Sequence, residues 1–228
     1  MSNAPKQALF AEFASVARAL GSPHRLEILE HLAQGERSVE AVAGRAGLSV
    51  ANASQHLQQL RRAGLVASRR EGKYVLYCLA DDFVLGLLGS LRQVAERNLA
   101  EVHRIVQGYF AERDAMEPVS REELLGCVRE GLVTVLDVRP ADEYAMGHLP
   151  GAVNIPLDEI ERRLAELDPD QEIVAYCRGA YCVLSFEAVA ALRVRGFKVR
   201  RLEDGYPEWH AAGLAVETGR PGIATGSA

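Results

Sequence analysis

Apolar residues at Leu9, Phe13, Val16 and Leu20 recur at the three-and-four spacing of a helical face, and Gly21 ends the segment. Ser22 and Pro23 are the residue types of an N-cap and a first helical position, and Leu26, Ile28, Leu29 and Leu32 supply the buried stripe of a second helix reaching Gly35. Ser38 is placed to cap a short helix from Val39 to Gly44. Gly47 and Leu48 make a turn, and Ser49 caps a further helix to about Ala63, with Ala53, Leu57 and Leu60 facing inward. Two helices joined by so short a turn form a helix-turn-helix pattern. With that stripe inward, Asn52, Gln55 and Gln59 point outward as amides suited to base edges in a major groove.

Beyond Gly64, the stretches Leu65 to Arg70 and Lys73 to Leu79 predict two strands about a turn at Glu71-Gly72, with Val66, Val75 and Tyr77 packing the ribbon down. The tip carries Arg69, Arg70 and Lys73, placed to reach phosphate or a minor groove. From about Asp82 to Phe110 the pattern predicts one continuous helix, in which Val84, Leu88, Leu91, Ala95, Asn98, Val102, Ile105 and Tyr109 alternate steps of four and three. That is a heptad seam, and a homodimer through residues 82–110 follows, with Asn98 fixing register.

Past this helix the pattern changes. Short apolar runs at Leu132 to Val138, Ala152 to Ile155, Glu172 to Tyr176 and Lys198 to Leu202 alternate with helical stretches, which predicts a parallel sheet covered by helices. Ligands of such sheets bind beyond the carboxyl ends of the strands. Cys177 stands at that end of one run, followed by Arg178-Gly179-Ala180-Tyr181-Cys182 and a helix from Val183 to about Arg195. A loop curling from a strand into a helix start turns its N–H groups inward and adds the positive end of the helix dipole, so an anion is stabilised there. A thiol in that setting shifts toward thiolate, with Arg178 as a further positive neighbour and Gly179 permitting the tight backbone. Two thiols on one short loop can form a disulfide or a bridging polysulfide.

Composition sharpens the division. The 228 residues are 48% hydrophobic and 25% charged, as in soluble globular proteins. No stretch is apolar enough to cross a bilayer, the N-terminus lacks the uninterrupted apolar core of a secretory signal, and a cytoplasmic protein without membrane partners is expected. The four cysteines are too sparse for a stapled secreted scaffold. Residues 1–113 hold 14 Lys and Arg against 11 Asp and Glu, a net of +3, whereas residues 114–228 hold 12 against 20, a net of −8. Residues 44–80 concentrate Arg45, Arg61, Arg62, Arg69, Arg70 and Lys73 against Glu71 alone, a footprint suited to phosphates. The expected organisation is a mainly α winged helix-turn-helix domain over 1–113, a linker over 114–120, an α/β domain with a parallel sheet over 121–216 and a flexible tail over 217–228.

The sequence Ser54-Gln55-His56-Leu57, then Leu60, Ala63-Gly64-Leu65-Val66, Arg69-Arg70-Glu71-Gly72-Lys73 and Tyr77, resembles the winged-helix repressors of the arsenic-repressor (ArsR) family over about residues 8–110. The resemblance implies an operator in duplex DNA contacted by Ser49, Asn52, Ser54, Gln55, His56, Gln59, Arg69, Arg70 and Lys73. Many members sense metals through thiolates on the first helix of the motif or Asp and His pairs on the last. Here the helix from Ser38 to Gly44 has no cysteine and His103 stands without a second His one turn away, so no metal site is expected. Cys78 and Cys127 are expected to serve packing, and His24, His31 and His56 lack partners at ligand spacing.

The second half, with Leu136-Asp137-Val138-Arg139-Pro140, Glu143-Tyr144, Gly147-His148-Leu149-Pro150-Gly151-Ala152, Cys177, Asp204-Gly205-Tyr206 and Trp209, resembles a single-domain rhodanese. The resemblance implies a sulfurtransferase: Cys177 takes sulfane sulfur from a donor, holds it as a persulfide on the loop amides and passes it to a thiol acceptor or cyanide, with no cofactor. It also makes Asp137, Arg139 and Glu143 structural or substrate-rim residues. Relatives of this fold that hydrolyse phosphate esters or reduce arsenate carry an arginine six positions after the cysteine, where Val183 stands here, so that chemistry is not expected. The chain therefore reads as a DNA-binding regulator whose rhodanese-like half carries or senses sulfane sulfur. The rival readings are a sulfurtransferase first, or a regulator with an inactive rhodanese binding module.

Overall fold

The computed structural model describes residues 4–111 and 118–219. The chain divides into two units, Met1–Leu88 and Gly89–Ala228. The expected linker at 114–120 falls largely, and the expected tail at 217–228 mostly, outside the described residues.

In the first unit, α1 (Ala4–Leu20), α2 (Pro23–Ala33), α3 (Val39–Arg45) and α4 (Val50–Arg62) precede a hairpin of β2 (Val66–Glu71) and β3 (Tyr74–Leu79). Ile28, Leu29, Val42, Ala53, Leu57 and Leu60 are fully buried in one core, so the inward stripe of α4 is as its spacing predicts. Ser38 and Ser49 cap α3 and α4, accepting from the N–H groups of Ala41 and Asn52 at 3.3 and 3.2 Å. Ser22 stands at the N-cap of α2 but its side chain makes no capping bond.

Three local expectations are corrected. Glu71 is paired with Tyr74 inside the ribbon, so the turn is Gly72-Lys73, where Gly72 supplies the left-handed φ of +58° that a two-residue hairpin needs. A two-residue strand β1 (Arg37–Ser38) pairs antiparallel with β3 and makes the wing three-stranded, in the order β1-β3-β2. Val75 shares a face with the buried Tyr77 but is 39% exposed, because it lies toward the tip, beyond the helices that cover Tyr77.

The expected continuous helix from Asp82 to Phe110 is also interrupted. α5 (Phe83–Asn98) is followed by α6 (Ala100–Ile105) and a π-helical turn, Val106–Ala111. Leu99 between them is extended, with φ −109° and ψ 110°. Asn98 explains the break, since its Nδ2 donates back to the Val94 carbonyl at 2.8 Å. Asparagine is a poor helix former because its side chain competes for main-chain partners in this way. The break falls within the stretch expected to form the seam, next to the residue expected to fix its register.

The second unit is built on four parallel strands in the order β5-β4-β6-β7: β4 (Val133–Asp137), β5 (Val153–Asn154), β6 (Glu172–Tyr176) and β7 (Val199–Arg201). Each lies within a run that the sequence marks as apolar. Alternation along β6 sends Ile173 and Ala175 into a cluster with Ala188, Val189 and Leu192 of α10 (Val183–Val194). Val174 and Tyr176 enter a second cluster with Leu124 of α7 (Arg121–Arg129), Tyr144 of α8 (Ala141–Met146) and Trp209 of α11 (Tyr206–Ala211). A central strand covered on both faces reads as an unbroken apolar run for this reason. α9 (Ile160–Arg163) closes the first of these faces. Among the described residues no helix is long and apolar enough to cross a membrane.

Candidate functional site

β6 carries Cys177 to the carboxyl end of the sheet, and the chain enters α10 five residues later with Cys182 at the N-cap position. Cys177 and Cys182 are 1% and 7% exposed and are joined as a disulfide, with Cα atoms 6.2 Å apart. The loop is drawn in because the Cys182 N–H donates to the Gly179 carbonyl at 3.1 Å. Cys182 in turn offers its carbonyl to the N–H and hydroxyl of Ser185, at 3.2 and 2.9 Å. A second segment holds the loop from outside: the Tyr206 N–H donates to the Cys177 carbonyl at 3.0 Å. Gly205 lies so close to the Arg178 and Gly179 backbone that a Cβ there would collide with it, so glycine is required by close approach. Tyr181 lies beside Phe110 of the same unit, with ring centroids 5.1 Å apart.

Arg178 is committed to a carboxylate. Its Nε and Nη2 both donate to Glu143, at 2.9 Å, and the Glu143 side chain is fully buried. The cation that the sequence offers to a thiolate therefore has a counter-ion of its own. Asp137 and Arg139, left open as structural or rim residues, form a wholly buried ion pair with an N–O distance of 2.6 Å. Tyr176 donates its hydroxyl to Asp137 at 2.5 Å, Arg139 donates to the Gly147 carbonyl at 2.7 Å, and the Tyr206 ring lies 4.4 Å from the guanidinium carbon. Burial, reinforced by the Asp137 charge, pushes the Tyr176 phenol well above its ordinary range. The pair is a strut beneath the loop. His148 is buried, stacked on Tyr144 at 3.6 Å.

On α4, Asn52 and Gln55 are exposed, while Ser54, His56 and Gln59 are half-buried. Ser49 is engaged as a cap, and Gln59 accepts from Arg25 at 2.6 Å. Arg69 is paired with Glu36 and Glu71, Arg70 donates to the Gly72 carbonyl at 3.3 Å, and the Lys73 ammonium lies 5.1 Å from the Tyr74 ring centroid. Among the described residues Lys73 and Arg70 thus have no carboxylate partner at the tip, whereas Arg69 shares its charge with two. His24 and His56, 32 positions apart, bring their rings to 5.8 Å. The lowered pKa of His56 comes from burial, then from the positive charge of Arg25 and from His24. Among the described residues no group of three or more His, Cys, Asp or Glu could hold a metal ion. Cys78 is half-buried, and burial raises its thiol; Cys127 is half-buried against the second cluster.

Sequence reasoning missed Arg25, Glu36 and the partnership of Glu143 with Arg178. All join residues more than 30 positions apart, and no local spacing signals them.

These features define a winged helix-turn-helix unit followed by a rhodanese-like unit. A helix-turn-helix domain model matches residues 20–69 and a rhodanese-like domain model matches residues 120–212. The HTH-type transcriptional regulator Rv0324 of Mycobacterium tuberculosis is 46% identical over 216 residues, covering 95% of each chain. The putative sulfur carrier protein YrkF of Bacillus subtilis is 37% identical over 78 residues, 34% of this chain and 41% of its own. The solution structure of the homodimeric winged helix-turn-helix domain of Mb0332 from Mycobacterium bovis, a possible ArsR-family regulator, is 43% identical and covers 42% of this chain and 89% of its own, with a TM-score of 0.40. The chain belongs to the family of HTH-type transcriptional regulators represented by Rv0324, and it is a transcriptional regulator with helix-turn-helix and rhodanese-like domains.

Proposed function

We propose that this regulator is an ArsR-type repressor scaffold that binds an operator as a homodimer and registers sulfane sulfur on its cysteine loop. The observation that carries the reading is the pairing of Cys177 with Cys182 at the end of β6. The Cys177 thiolate attacks the outer sulfur of a donor such as thiosulfate, displacing sulfite and leaving a persulfide. The Cys182 thiolate then attacks the Cys177 sulfur, the S–S bond to the outer sulfur breaks, and hydrosulfide leaves with the electron pair. Two thiols are oxidised to a disulfide and one sulfane sulfur is reduced to sulfide. Where an external thiol takes the outer sulfur first, the same cysteine acts as a sulfurtransferase and the loop stays reduced. Residues 121–216 handle sulfur in this reading, and residues 1–113 bind DNA and dimerise. Exposed apolar side chains on α1 (Phe10, Phe13) and α5 (Phe83, Val94) support dimerisation, because such faces are normally covered. Asn52, Gln55, Arg70 and Lys73 are the exposed groups free to meet DNA.

Intact-mass spectra, sulfite and sulfide release, and operator titrations of the reduced chain before and after thiosulfate test it. The parent is expected to release one sulfite and one sulfide per chain and to change operator affinity. Cys177→Ser should do neither, and Cys182→Ser should stop at the persulfide, without sulfide release or a change in affinity. A parent that takes sulfur yet keeps one affinity throughout would leave the two domains uncoupled.

A further inference from the structure

At the junction of α1, α2 and α4 lies an open cavity of about 220 Å³, its polar wall formed by Ser15, Arg18, Arg25, Gln59 and Arg62 over two alanines. Arg25 determines what this wall offers. Its Nη1 donates to Gln59 Oε1 at 2.6 Å, its Nη2 to the Arg18 carbonyl at 2.9 Å, and its Nε to the Ala19 carbonyl. A guanidinium has donors only, so the Gln59 atom facing it is the carbonyl oxygen and the NH₂ group is turned away. Three acceptors around the cavity are thereby occupied. What remains is the Ser15 hydroxyl, the Gln59 amide N–H groups and the guanidinium groups of Arg18 and Arg62. No carboxylate lines the cavity, and among the described residues neither Arg18 nor Arg62 has an ion-pair partner. A concave wall of donors under two unpaired positive charges selects a compact, multiply charged acceptor. A water occupies about 30 Å³ of liquid, and a tetrahedral oxyanion is only a few times larger.

We propose that this cavity is a binding site for a phosphate-type oxyanion. The shared chemistry has two sources, a backbone phosphate of bound DNA or a free inorganic oxyanion. The first source rests on the operator-binding reading; the second does not.

The full chain would be titrated calorimetrically with sulfate in a chloride background of constant ionic strength, and with operator DNA over a range of salt. The parent is compared with an Arg18→Gln/Arg62→Gln double variant and with Gln59→Glu, which keeps an oxygen for Arg25 but replaces the outward donors by a carboxylate. A free oxyanion as occupant predicts saturable sulfate binding in the parent, weakened at least tenfold in both variants, with an unchanged operator salt slope. A DNA phosphate as occupant predicts that the double variant loses about two from the log-log salt slope of a dimer, at roughly 0.9 per contact, and that Gln59→Glu weakens operator binding. Sulfate that binds no better than chloride, together with operator binding and a salt slope unchanged in the variants, would overturn the proposal. Sulfate or operator binding that falls in the double variant but is untouched by Gln59→Glu would overturn the donor arrangement.

Discussion

Both units carry surface ion pairs, but the second also buries pairs beneath its cysteine loop. In the first, ion pairs such as Arg69 with Glu36 and Glu71 stand on the surface, and α4 turns the uncharged amides of Asn52 and Gln55 outward ahead of the exposed Arg61 and Arg62 in its last turn. In the second, Asp137 meets Arg139 with both side chains fully buried, and Glu143 is buried under an Arg178 that is itself 14% exposed. Surface pairs adjust to what approaches, whereas buried pairs hold their neighbours in one arrangement, since separating them leaves a charge without water or partner. The first unit is therefore built to be read from outside and the second to hold a loop in place.

The sharpest way to break this contrast is to remove one charge from each kind of pair. Arg139→Leu leaves Asp137 buried without its partner and is expected to destabilise the rhodanese-like unit by about 3–5 kcal/mol, measured by urea unfolding. Arg69→Ala should leave the unfolding midpoint of the winged unit almost unchanged. Equal losses in the two variants would remove the distinction.

Gly205→Ala comes next. Its methyl group must displace the Arg178–Gly179 backbone, with an expected cost of about 1–3 kcal/mol, as for overpacking. The rate at which thiosulfate loads Cys177 should fall by more than the stability loss alone explains, because the cradle is moved. Unaltered loading kinetics would show that the close approach of Gly205 does not shape the loop.

The smallest expected effect concerns His56, which lies near Arg25 and near His24, the latter itself beside Glu27. Its pKa is lowered in the folded chain, so its contribution to stability is complete above its ordinary value of 6.5 and is lost as pH falls through the folded value. If His56 meets DNA, as the resemblance implies, a phosphate beside it would favour the protonated ring. Operator affinity should thus rise by a factor of about two to five as pH falls through that window, in line with one exposed charge pair. His56→Gln should flatten the profile; an identical profile in the variant would remove His56 from the DNA-facing set.

What the sequence reveals of each unit follows from the range of the interactions involved. The central strands β4 and β6 are legible because a strand covered on both faces is largely apolar, and Cys177 draws notice because it follows one of them. The edge strand β7, Val199-Arg200-Arg201, is marked by little more than Val199 and the flanking Leu202. Ala53, Leu57 and Leu60 are legible because helical spacing alone sets their face. The break at Asn98 is hidden, since the heptad pattern continues past it and only the bond to Val94 shows that the side chain competes with the helix. The turn at Gly72-Lys73 is displaced by one residue because Gly72 fits either position and pairing of Glu71 with Tyr74 decides. The commitments of Gln59 to Arg25 and of Arg178 to Glu143 depend on tertiary contacts, and they change which groups remain available at each site.

The 6.2 Å between the α-carbons of Cys177 and Cys182 also bears on time. A nucleophile held on the same short loop competes with dissolved thiols at an effective concentration far above theirs. A persulfide formed on Cys177 would then be resolved internally before most acceptors arrive, and turnover would stop until a reductant reopened the loop. Such a domain is a poor producer of transferred sulfur and a good recorder of having met it. The duration of the record would be set by the supply of reducing equivalents and not by the lifetime of the donor.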